Sequence, residues 1–258
     1  MTRLETFLQY QRRLGFFAGA KWSVARFANR RGLVRGSVSI RPSWLRHSVM
    51  VRMQQSSDID VFDAIFVHGE LDFWRAFNGL PPRVILDLGA NVGYASAAFL
   101  SSFPGAFLLA VEPDPVNAEI CRRNLAPYGD RVRVLQGAAW HGRGALVLSR
   151  GTFGDGREWA TEVRAALPGE TADIIAWDIP SLLGMCPRRQ IDVLKIDIEG
   201  SERALFSAKV DEWLPYVRNI CIEVHGPECE KAVSAALTSY RYKKDRTGEY
   251  ALYLDVKR

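Results

Sequence analysis

Apolar and polar residues alternate over parts of residues 35–62, and this spacing predicts short β-structure, arranged as a hairpin at the edge of a domain. The next segment, residues 61–77 (VFDAIFVHGELDFWRAF), has its apolar residues at helical spacing. An Asn-Gly pair and a Pro-Pro pair follow it closely, so the predicted helix ends there.

From residue 83 onward, continuous apolar runs of strand length alternate with segments of helical spacing. The predicted strands are RVILDLG (83–89), AFLLAVEP (106–113), VRVLQGAAW (132–140), IDVLKIDIEG (191–200) and VRNICIEVHG (217–226). The predicted helices are YASAAFLSSF (94–103), PVNAEICRRNLAPYG (115–129), SERALFSA (201–208) and KAVSAALTSY (231–240). A glycine-rich loop (142–156), an edge segment with a short helix (170–183) and a final β-hairpin around Thr247-Gly248 complete the pattern.

Five strand-to-helix steps predict the α/β class, with a doubly wound, mostly parallel sheet. Such sheets bind their ligands at the carboxyl ends of the strands. We divide the chain into a basic N-terminal extension, residues 1–56, and a main domain, residues 57–258. The extension is predicted to contain helix and short β-structure.

Charge is concentrated in the extension. Residues 1–46 contain ten Lys or Arg and one acid, a net charge of +9, while the remaining 212 residues carry a net charge of −4. Aromatic residues are interleaved with the basic ones. Three uses fit this pattern: a helical arm whose apolar side packs on the domain, an arm that binds an anionic membrane surface or a partner, and an arm that binds nucleic acid, which is the least favoured. It also resembles an organelle transit peptide.

The rest of the composition argues against a membrane-spanning or a disulfide-bonded protein. No apolar run approaches the roughly 20 residues of a membrane span, and the N-terminus lacks the apolar core of a secretory signal. The four cysteines have neither C-x-x-C nor metal-type spacing, which indicates reduced thiols. We therefore expect a cytoplasmic protein, peripheral at the inner face of the membrane if the extension binds lipid.

A glycine turn follows the first long strand. A nicotinamide or flavin site uses G-x-G-x-x-G, in which the second glycine lets the backbone approach a pyrophosphate. The turn GANVG at 89–93 lacks that glycine, so it disfavours a diphosphate. Asp87 precedes the turn, and Glu112 ends the second strand at the same sheet edge, where it can accept hydrogen bonds from both hydroxyls of a ribose.

Five segments together resemble the FkbM-type family of S-adenosyl-L-methionine (SAM)-dependent class I O-methyltransferases. They are SDIDVFDAIFVHGELDF, ILDLGANVGYAS, AVEPDPVNAEICRRN, DVLKIDIEGSERALF and CIEVHG, in the family's order. The resemblance covers about residues 57–250 and leaves out the first 46 residues and the loop 142–170. It implies a Rossmann-like, seven-stranded methyltransferase sheet that ends in an antiparallel hairpin, with SAM as the cofactor.

The resemblance also implies a cofactor pocket over the glycine turn. The residues expected there are Glu70, Asp87, Gly89, Asn91, Gly93, Tyr94, Ser96, Glu112, Asp114, Gln136 and Ala138. In that family the acid before the turn, here Asp87, works near the ammonium and sulfonium charges. The third strand of the family ends at the adenine ring, so Gln136 and the backbone amide of Ala138 are the expected contacts.

Four ionisable residues, Asp197, Glu199, Glu223 and His225, follow the fourth and fifth strands, where the methyl group is expected to point. Asp197 and Glu199 alternate along the strand end, so Glu199 is expected in the loop over the site. His225 is the first candidate for a general base because its ordinary pKa lies nearest neutrality, with Asp197 or Glu223 orienting it or acting instead. A structural histidine is the alternative. Mg²⁺ held by Asp197 and Glu223 could alternatively lower the pKa of an acceptor hydroxyl.

Two segments outside the strands have expected roles at the pocket. In the family, the helix that carries His68, Glu70 and Trp74 crosses the cofactor pocket, and Glu70 could pair with the cofactor's ammonium or lie on a helix surface. The glycine-rich loop, with Arg157 and Trp159, is either a lid over the acceptor or a surface connection.

These observations favour a SAM-dependent O-methyltransferase whose acceptor is a hydroxyl of a sugar, a glycan or a polyketide-type metabolite. Two alternatives stay open: an RNA methyltransferase that grips phosphate with the basic extension, and a SAM-binding subunit without catalysis. The four ionisable residues argue against the second alternative. We expect a small-molecule or glycan acceptor, with membrane contact through residues 1–46 as a further hypothesis.

Overall fold

A computed structural model describes residues 2–54, 56–72, 81–150, 161–167, 169–172 and 174–258. Within these residues, thirteen strands form three sheets, with helices on both sides of the largest one. The strands are β1 (Ser37–Ile40), β2 (Val49–Arg52), β3 (Val84–Leu88), β4 (Phe107–Glu112), β5 (Val132–Gln136), β6 (Ala138–Ala139), β7 (Ala145–Arg150), β8 (Thr161–Ala165), β9 (Ile174–Trp177), β10 (Val193–Ile196), β11 (Ile220–Glu223), β12 (Arg241–Thr247) and β13 (Tyr250–Lys257).

The helices alternate with the strands of the main domain and form a pair at the N-terminus. The α-helices are α1 (Arg3–Leu14), α2 (Phe16–Arg30), α3 (Asp58–Phe62), α4 (Tyr94–Ser102), α5 (Pro115–Leu125), α6 (Ile179–Gly184), α7 (Glu202–Phe206) and α8 (Pro227–Leu237). A π-helix, Asp63–His68, continues α3, and short 3₁₀ helices lie at Ala126–Arg131, Val210–Glu212 and Leu214–Tyr216.

The central sheet has seven strands in the order β12-β13-β11-β10-β3-β4-β5. Strands β5, β4, β3, β10 and β11 are parallel, and β13 runs antiparallel to both β11 and β12. The predicted fold class is therefore confirmed, including the antiparallel hairpin at the end. The chain leaves β3 towards β4 and β5 and later returns on the other side of β3 with β10, so the switch in strand order lies between β3 and β10.

All five residues of strand β3 are buried, and all of them except Asp87 are apolar. Ile85 packs into the core on one face of the sheet, while Leu86 and Leu88 pack into the core on the other. Because both faces are covered, the strand needs apolar residues at consecutive positions, and its carboxyl end is held rigidly where the glycine turn begins.

The N-terminal helices are part of one of these cores. Trp22 of α2 is fully buried, lies 4.4 Å from Phe62 between ring centroids, and donates from Nε1 to Oδ1 of Asp63 at 2.7 Å. Arg26 pairs with the other oxygen of Asp63 at 3.4 Å. The π-helix is thus fixed by the extension. In the described part of the chain, no helix combines the length and the apolar character needed to cross a membrane.

Three predicted elements are corrected. The helix predicted over 61–77 is α3 followed by the π-helix, which ends at His68 because Gly69 adopts a left-handed conformation with φ 75°; residues 73–80 lie outside the described chain. The third strand ends at Gln136, and Ala138–Ala139 pair instead with β9 in a four-stranded sheet. The loop predicted at 142–156 contains β7, which pairs with β8 and β9 in that sheet.

Candidate functional site

The glycine turn after β3 is held against two neighbouring strand ends. The backbone N–H groups of Gly89 and Ala90 both donate to the carbonyl of Val111 at 3.0 Å. Gly89 has φ 77°, and a Cβ there would lie 1.7 Å from the carbonyl oxygen of Asp197. Only glycine fits this approach, which brings the turn and the loop after β10 together.

A buried ion-pair network lies beneath the turn. The Asp87 carboxylate is fully buried and accepts a hydrogen bond from Ser96 Oγ at 2.6 Å. Lys195 Nζ donates to the carbonyl of Gly89 at 2.9 Å and lies 3.4 Å from a carboxylate oxygen of Asp87 and from one of Asp197. Burial alone would lower the pKa of Lys195, but the two carboxylates raise it above its usual value. The lysine therefore stays charged and ties the two strand ends together.

Glu112 at the end of β4 lies beside the same turn. One of its oxygens accepts from the backbone N–H of Asn91 at 2.7 Å, and the other accepts from that of Asp114 at 3.0 Å. Burial raises the pKa of Glu112 to about 7, while the two backbone hydrogen bonds oppose that rise. Each carboxylate oxygen keeps a second lone pair for a hydroxyl donor from a ligand.

A cavity of about 550 Å³ opens between the glycine turn and the loops after β10 and β11. Ten of the predicted site residues line it: Glu70, Gly89, Asn91, Tyr94, Glu112, Ala138, Asp197, Glu199, Glu223 and His225. One cavity is therefore lined both by the turn that was expected to hold a cofactor and by the cluster that was expected to carry the chemistry.

Five predicted cofactor residues do not line this cavity. Asp87 and Ser96 bond to each other beneath the turn, and Gly93, with φ 84°, begins helix α4. Asp114 caps α5 by accepting from the backbone N–H groups of Val116 and Asn117, and Gln136 is an exposed side chain at the end of β5. Tyr94 reaches the cavity but is a core residue, whose hydroxyl donates to the carbonyl of Met50 at 2.8 Å.

His225 lies at the centre of the ionisable cluster. Its Nδ1 lies 2.9 Å from Glu202 Oε1, and its Nε2 lies 3.5 Å from both Glu199 Oε2 and Glu223 Oε1. Asp197 accepts a hydrogen bond from the Tyr250 hydroxyl at 2.9 Å. The structure thus brings together all four residues predicted for this cluster.

The charges of the cluster change the expected role of His225. Burial alone would lower the pKa of His225, but hydrogen bonds with Glu202 and Glu223 and the charges of Glu202 and Glu199 raise it to about 11. The imidazole is therefore protonated at neutral pH, and the pKa near neutrality that favoured it as a base is absent. Burial, followed by the charge of Asp197, raises the pKa of Glu199 to about 7 and leaves this carboxylate with the pKa suited to a general base.

The same cluster contains the two residues predicted to hold Mg²⁺, Asp197 and Glu223. Asp197, Glu223 and His225 can bring one ligand atom each within 4.8 Å of one another. A protonated imidazole has no lone pair to offer, and Asp197 Oδ2 already faces Tyr250 and Lys195. Mg²⁺ takes a nearly octahedral set of oxygen ligands, commonly one or two carboxylates with water, so Asp197 and Glu223 would be its ligands and His225 would not.

Several residues of the site escaped the sequence reasoning. Tyr250 faces Asp197 because β13 pairs with β11 in the register Glu223–Tyr250, which requires knowing the pairing of the two strands. Glu202 is fully buried against His225, although its place near a helix start indicates only a favourable charge. Ser201 lines the cavity, and its Oγ has no hydrogen-bond partner among the described residues.

The segments predicted to flank the pocket are only partly described. Glu70 follows Gly69 in a turn rather than in a helix, and its carbonyl accepts from Thr247 Oγ1 at 3.4 Å. Burial and the charges of Glu249 and Glu223 raise the pKa of Glu70.

His68 is exposed and is not part of the cavity wall; its Nδ1 lies 3.4 Å from Nε2 of Gln9. Trp74, Arg157 and Trp159 lie outside the described residues, while Val163 of β8 joins the cavity wall.

The chain is similar in sequence to known methyltransferases. Residues 87–246 match the methyltransferase FkbM domain. Over 136 residues the chain is 31% identical to the 2-O-methyltransferase NoeI of Sinorhizobium fredii, a match that covers 47% of this chain and 55% of that protein. Over 202 residues it is 27% identical to the methyltransferase sdnD of Sordaria araneosa, covering 66% of this chain and 78% of the relative.

Among solved structures, the precorrin-6y C5,15-methyltransferase of Geobacter metallireducens superimposes with a TM-score of 0.44 at 11% identity. The superposition covers 74% of this chain and 88% of that one.

Proposed function

Because this chain belongs to the FkbM methyltransferase family, we propose that it transfers the methyl group of SAM to a hydroxyl group of a sugar, a glycan or a polyketide-type metabolite. One observation carries the proposal: the glycine turn with Glu112 and the cluster around His225 line a single cavity. A relative that is named a 2-O-methyltransferase supports oxygen as the atom that is methylated.

The residues at the turn fit SAM. Glu112 has a free lone pair on each oxygen for the two ribose hydroxyls, and its pKa of about 7 allows the ionised form. The side-chain oxygen of Asn91 is buried on the cavity wall without a hydrogen-bond partner among the described residues, so it can accept from a donor of the ligand. The backbone of the turn is already committed to β4, which keeps these two acceptors in place.

The residues of the cluster fit proton removal from a hydroxyl. When bound, SAM would supply a methyl group on a sulfonium: the sulfur–methyl bond would break with its electron pair kept by the sulfur as the carbon–oxygen bond forms. Glu199, at a pKa of about 7, accepts the proton of the acceptor hydroxyl as this bond forms. His225 stays protonated and holds Glu199 and Glu223 in position from its Nε2, while Glu202 fixes the ring from the other side.

The charge of the cavity also limits the acceptor. Besides Glu199 and Glu223, the acids Asp60, Glu70 and Glu249 line it. A phosphate or carboxylate near this wall would meet several like charges. The cavity therefore favours a neutral, hydroxyl-rich acceptor and disfavours an RNA backbone.

Calorimetric titration with SAM and with its demethylated product tests the cofactor half of the proposal. We expect Glu112→Ala to weaken SAM binding by about tenfold to a hundredfold, since it removes the ribose acceptor. Glu119→Ala, an exposed acid of the neighbouring helix α5, is the matched control and keeps wild-type affinity. Failure of the wild-type protein to bind either ligand would overturn the proposal.

A transfer assay tests the chemical half. Methyl-labelled SAM is incubated with panels of neutral oligosaccharides and hydroxylated polyketides, and label in the acceptor is counted. The double variant Glu199→Gln, Glu223→Gln should lose transfer while its SAM affinity stays within about threefold of wild type. Loss of SAM affinity together with transfer would contradict the assignment of these residues to the acceptor side.

A further inference from the structure

Helix α2 has apolar side chains on two opposite faces. Trp22 and Ala25 are buried against the domain. Phe17, Val24 and Phe27 lie on the other side of the helix, and their exposed fractions are 86%, 68% and 51%. Because Phe17 and Val24 are seven positions apart, they lie on the same face two turns from each other. The buried face explains how α2 is held in the fold, whereas the three outward side chains are exposed within the described part of the chain, and burial does not explain their apolar character.

Exposed apolar surface is concentrated at this end of the molecule. In the described part of the chain, eight of the twelve large apolar side chains that are exposed lie in the first 46 residues. Phe16 stacks edge-on against Phe17, with ring centroids 5.5 Å apart, and Leu33 beyond the helix is 72% exposed. Exposed apolar side chains gathered in one segment in this way are typical of an interaction site.

Basic side chains surround the outward face. Lys21, Arg30, Arg31 and Arg35 are all exposed, and the guanidinium of Arg31 lies 4.4 Å from the ring centroid of Phe27. No acidic residue occurs in the sequence between Glu5 and residue 58. The natural partner of this surface is therefore anionic and has an apolar layer beneath its charges.

We propose that the outward face of α2, together with Leu33, docks on a membrane surface that contains anionic lipids. The phenylalanines and Val24 would enter the boundary between headgroups and acyl chains, while the basic side chains pair with the headgroups. A second copy of the chain fits less well, because two segments with a net charge of +9 repel each other. Nucleic acid would satisfy the arginines but leave the aliphatic side chains in water.

Vesicle cosedimentation of the full chain tests the proposal with point variants. Deletion of residues 1–46 is unsuitable, because it removes the buried Trp22 and Leu14 from the core. Wild-type protein should sediment with vesicles of phosphatidylcholine and phosphatidylglycerol and stay in solution with phosphatidylcholine alone. Phe17→Ser with Phe27→Ser should weaken the partition into anionic vesicles by about tenfold or more, because two large apolar side chains are lost.

A charge variant and two matched controls separate the two forces. Lys21→Gln with Arg35→Gln should weaken the partition into anionic vesicles by about tenfold, since each basic group near the membrane surface contributes to the attraction. Controls at exposed positions elsewhere should bind as wild type: Val116→Ser with Leu167→Ser for apolar loss, and Lys231→Gln with Lys257→Gln for charge loss. All variants should melt within a few degrees of wild type, because the altered side chains are exposed.

Three results would overturn the proposal. The first is equal sedimentation of wild type and both α2 variants with anionic vesicles. The second is a wild-type dimer in analytical ultracentrifugation that the phenylalanine variant converts to a monomer, with no vesicle binding. The third is binding of single-stranded RNA, measured by fluorescence anisotropy, that the charge variant alone abolishes, again with no vesicle binding.

Discussion

At the scale of single residues, the pKa values of His225 and Glu199 reverse the expected choice of general base. The imidazole stays protonated at neutral pH, and the carboxylate has the pKa near 7. Three glutamates around the imidazole make it a lasting cation, and that cation in turn restrains the rise in the pKa of Glu199. Glu199 also has a positive φ of 49°, which is uncommon outside glycine and places its carboxylate in the loop facing His225. A carboxylate with a pKa near 7 is the better proton acceptor at neutral pH.

The pH dependence of methyl transfer separates the two candidates. With Glu199 as the base, kcat should rise as this carboxylate loses its proton, through about pH 7, and then level off. A base with the pKa of His225 would instead give a rate that climbs towards about pH 11. Glu199→Gln should remove the rise and lower kcat by about a hundredfold to ten-thousandfold. Glu228→Gln, an exposed acid of α8, should keep the wild-type profile.

A variant of His225 distinguishes a positioning role from a purely structural one. Replacing it with Gln removes the charge that lowers the pKa of Glu199, so the rise in kcat should move to higher pH. SAM affinity should change little, because the proposal places the ring with the acceptor and the cofactor's ribose at Glu112. An unchanged pH profile in His225→Gln would contradict the positioning role.

Gly89 is the residue at which the two halves of the site meet. In Gly89→Ala the new Cβ would collide with the carbonyl of Asp197, and the alanine would have to adopt a positive φ. The turn or the loop after β10 must therefore move. We expect a loss of at least about 1 kcal/mol in the free energy of unfolding and SAM binding weaker by about tenfold or more. Gly142→Ala, where the Cβ would meet nothing within 4 Å, is the control for thermal melting and calorimetry. Equal affinity in the two variants would show that the contact is dispensable.

At the scale of elements, helix α2 is as much a part of the core as the helices between the strands. Trp22 contacts Phe62 and bonds to Asp63, and the π-helix that begins at Asp63 leads to Glu70 at the cavity. Arg13 of α1 adds an ion pair with Asp72 at 3.0 Å. The basic extension therefore determines where one wall of the cavity lies.

Trp22→Ala should lower the free energy of unfolding by about 3 to 5 kcal/mol, because a fully buried side chain and its hydrogen bond are lost. Phe17→Ala, at an exposed position of the same helix, should change it by less than about 0.5 kcal/mol. Chemical denaturation of the two variants measures both values. Similar losses at the two positions would mean that α2 is not part of the core.

The elements that could be predicted from the sequence are those whose signal is local. Runs of consecutive apolar residues such as 84–86 predict buried strands, and the turn at 89–93 predicts a ligand site without a pyrophosphate. The small sheet was missed because β7 begins within a glycine-rich segment and depends on pairing with β8 and β9. The pKa of His225 was missed because Glu202, 23 positions away in the sequence, supplies the decisive hydrogen bond.

At the scale of the whole molecule, folding buries or partly buries several acids at the site, and this makes the free energy of unfolding depend on pH. The pKa values of Glu112 and Glu199 are raised in the folded state to about 7 from an ordinary 4.5. Their contribution to stability is fully present below about pH 4.5 and is lost as the pH rises through 7. For His225 the folded pKa is also raised, so its contribution is lost only as the pH rises from 6.5 to about 11.

The ligand-free protein should therefore melt at a higher temperature near pH 5 than near pH 8. Glu112 alone accounts for a difference on the order of 3 kcal/mol, because its carboxylate is almost fully buried. Differential scanning calorimetry across this range measures the effect, and Glu112→Gln should make it smaller, leaving the part that Glu199 and His225 contribute. A melting temperature that rises from pH 5 to pH 8 would show that these acids are better solvated than their burial indicates.

The π-helix at Asp63–His68 also sets the rotational position, about the helix axis, of the residues that follow it. Its wider turn takes up one residue more than an α-helix needs, and each residue of an α-helix advances the chain by about 100°. Deleting a single residue there would therefore convert the π turn into a regular α-helical turn and leave the residues downstream in nearly their present phase. Glu70 would keep its place on the cavity wall, whereas a deletion within the regular helix α3 would turn it away by about 100°.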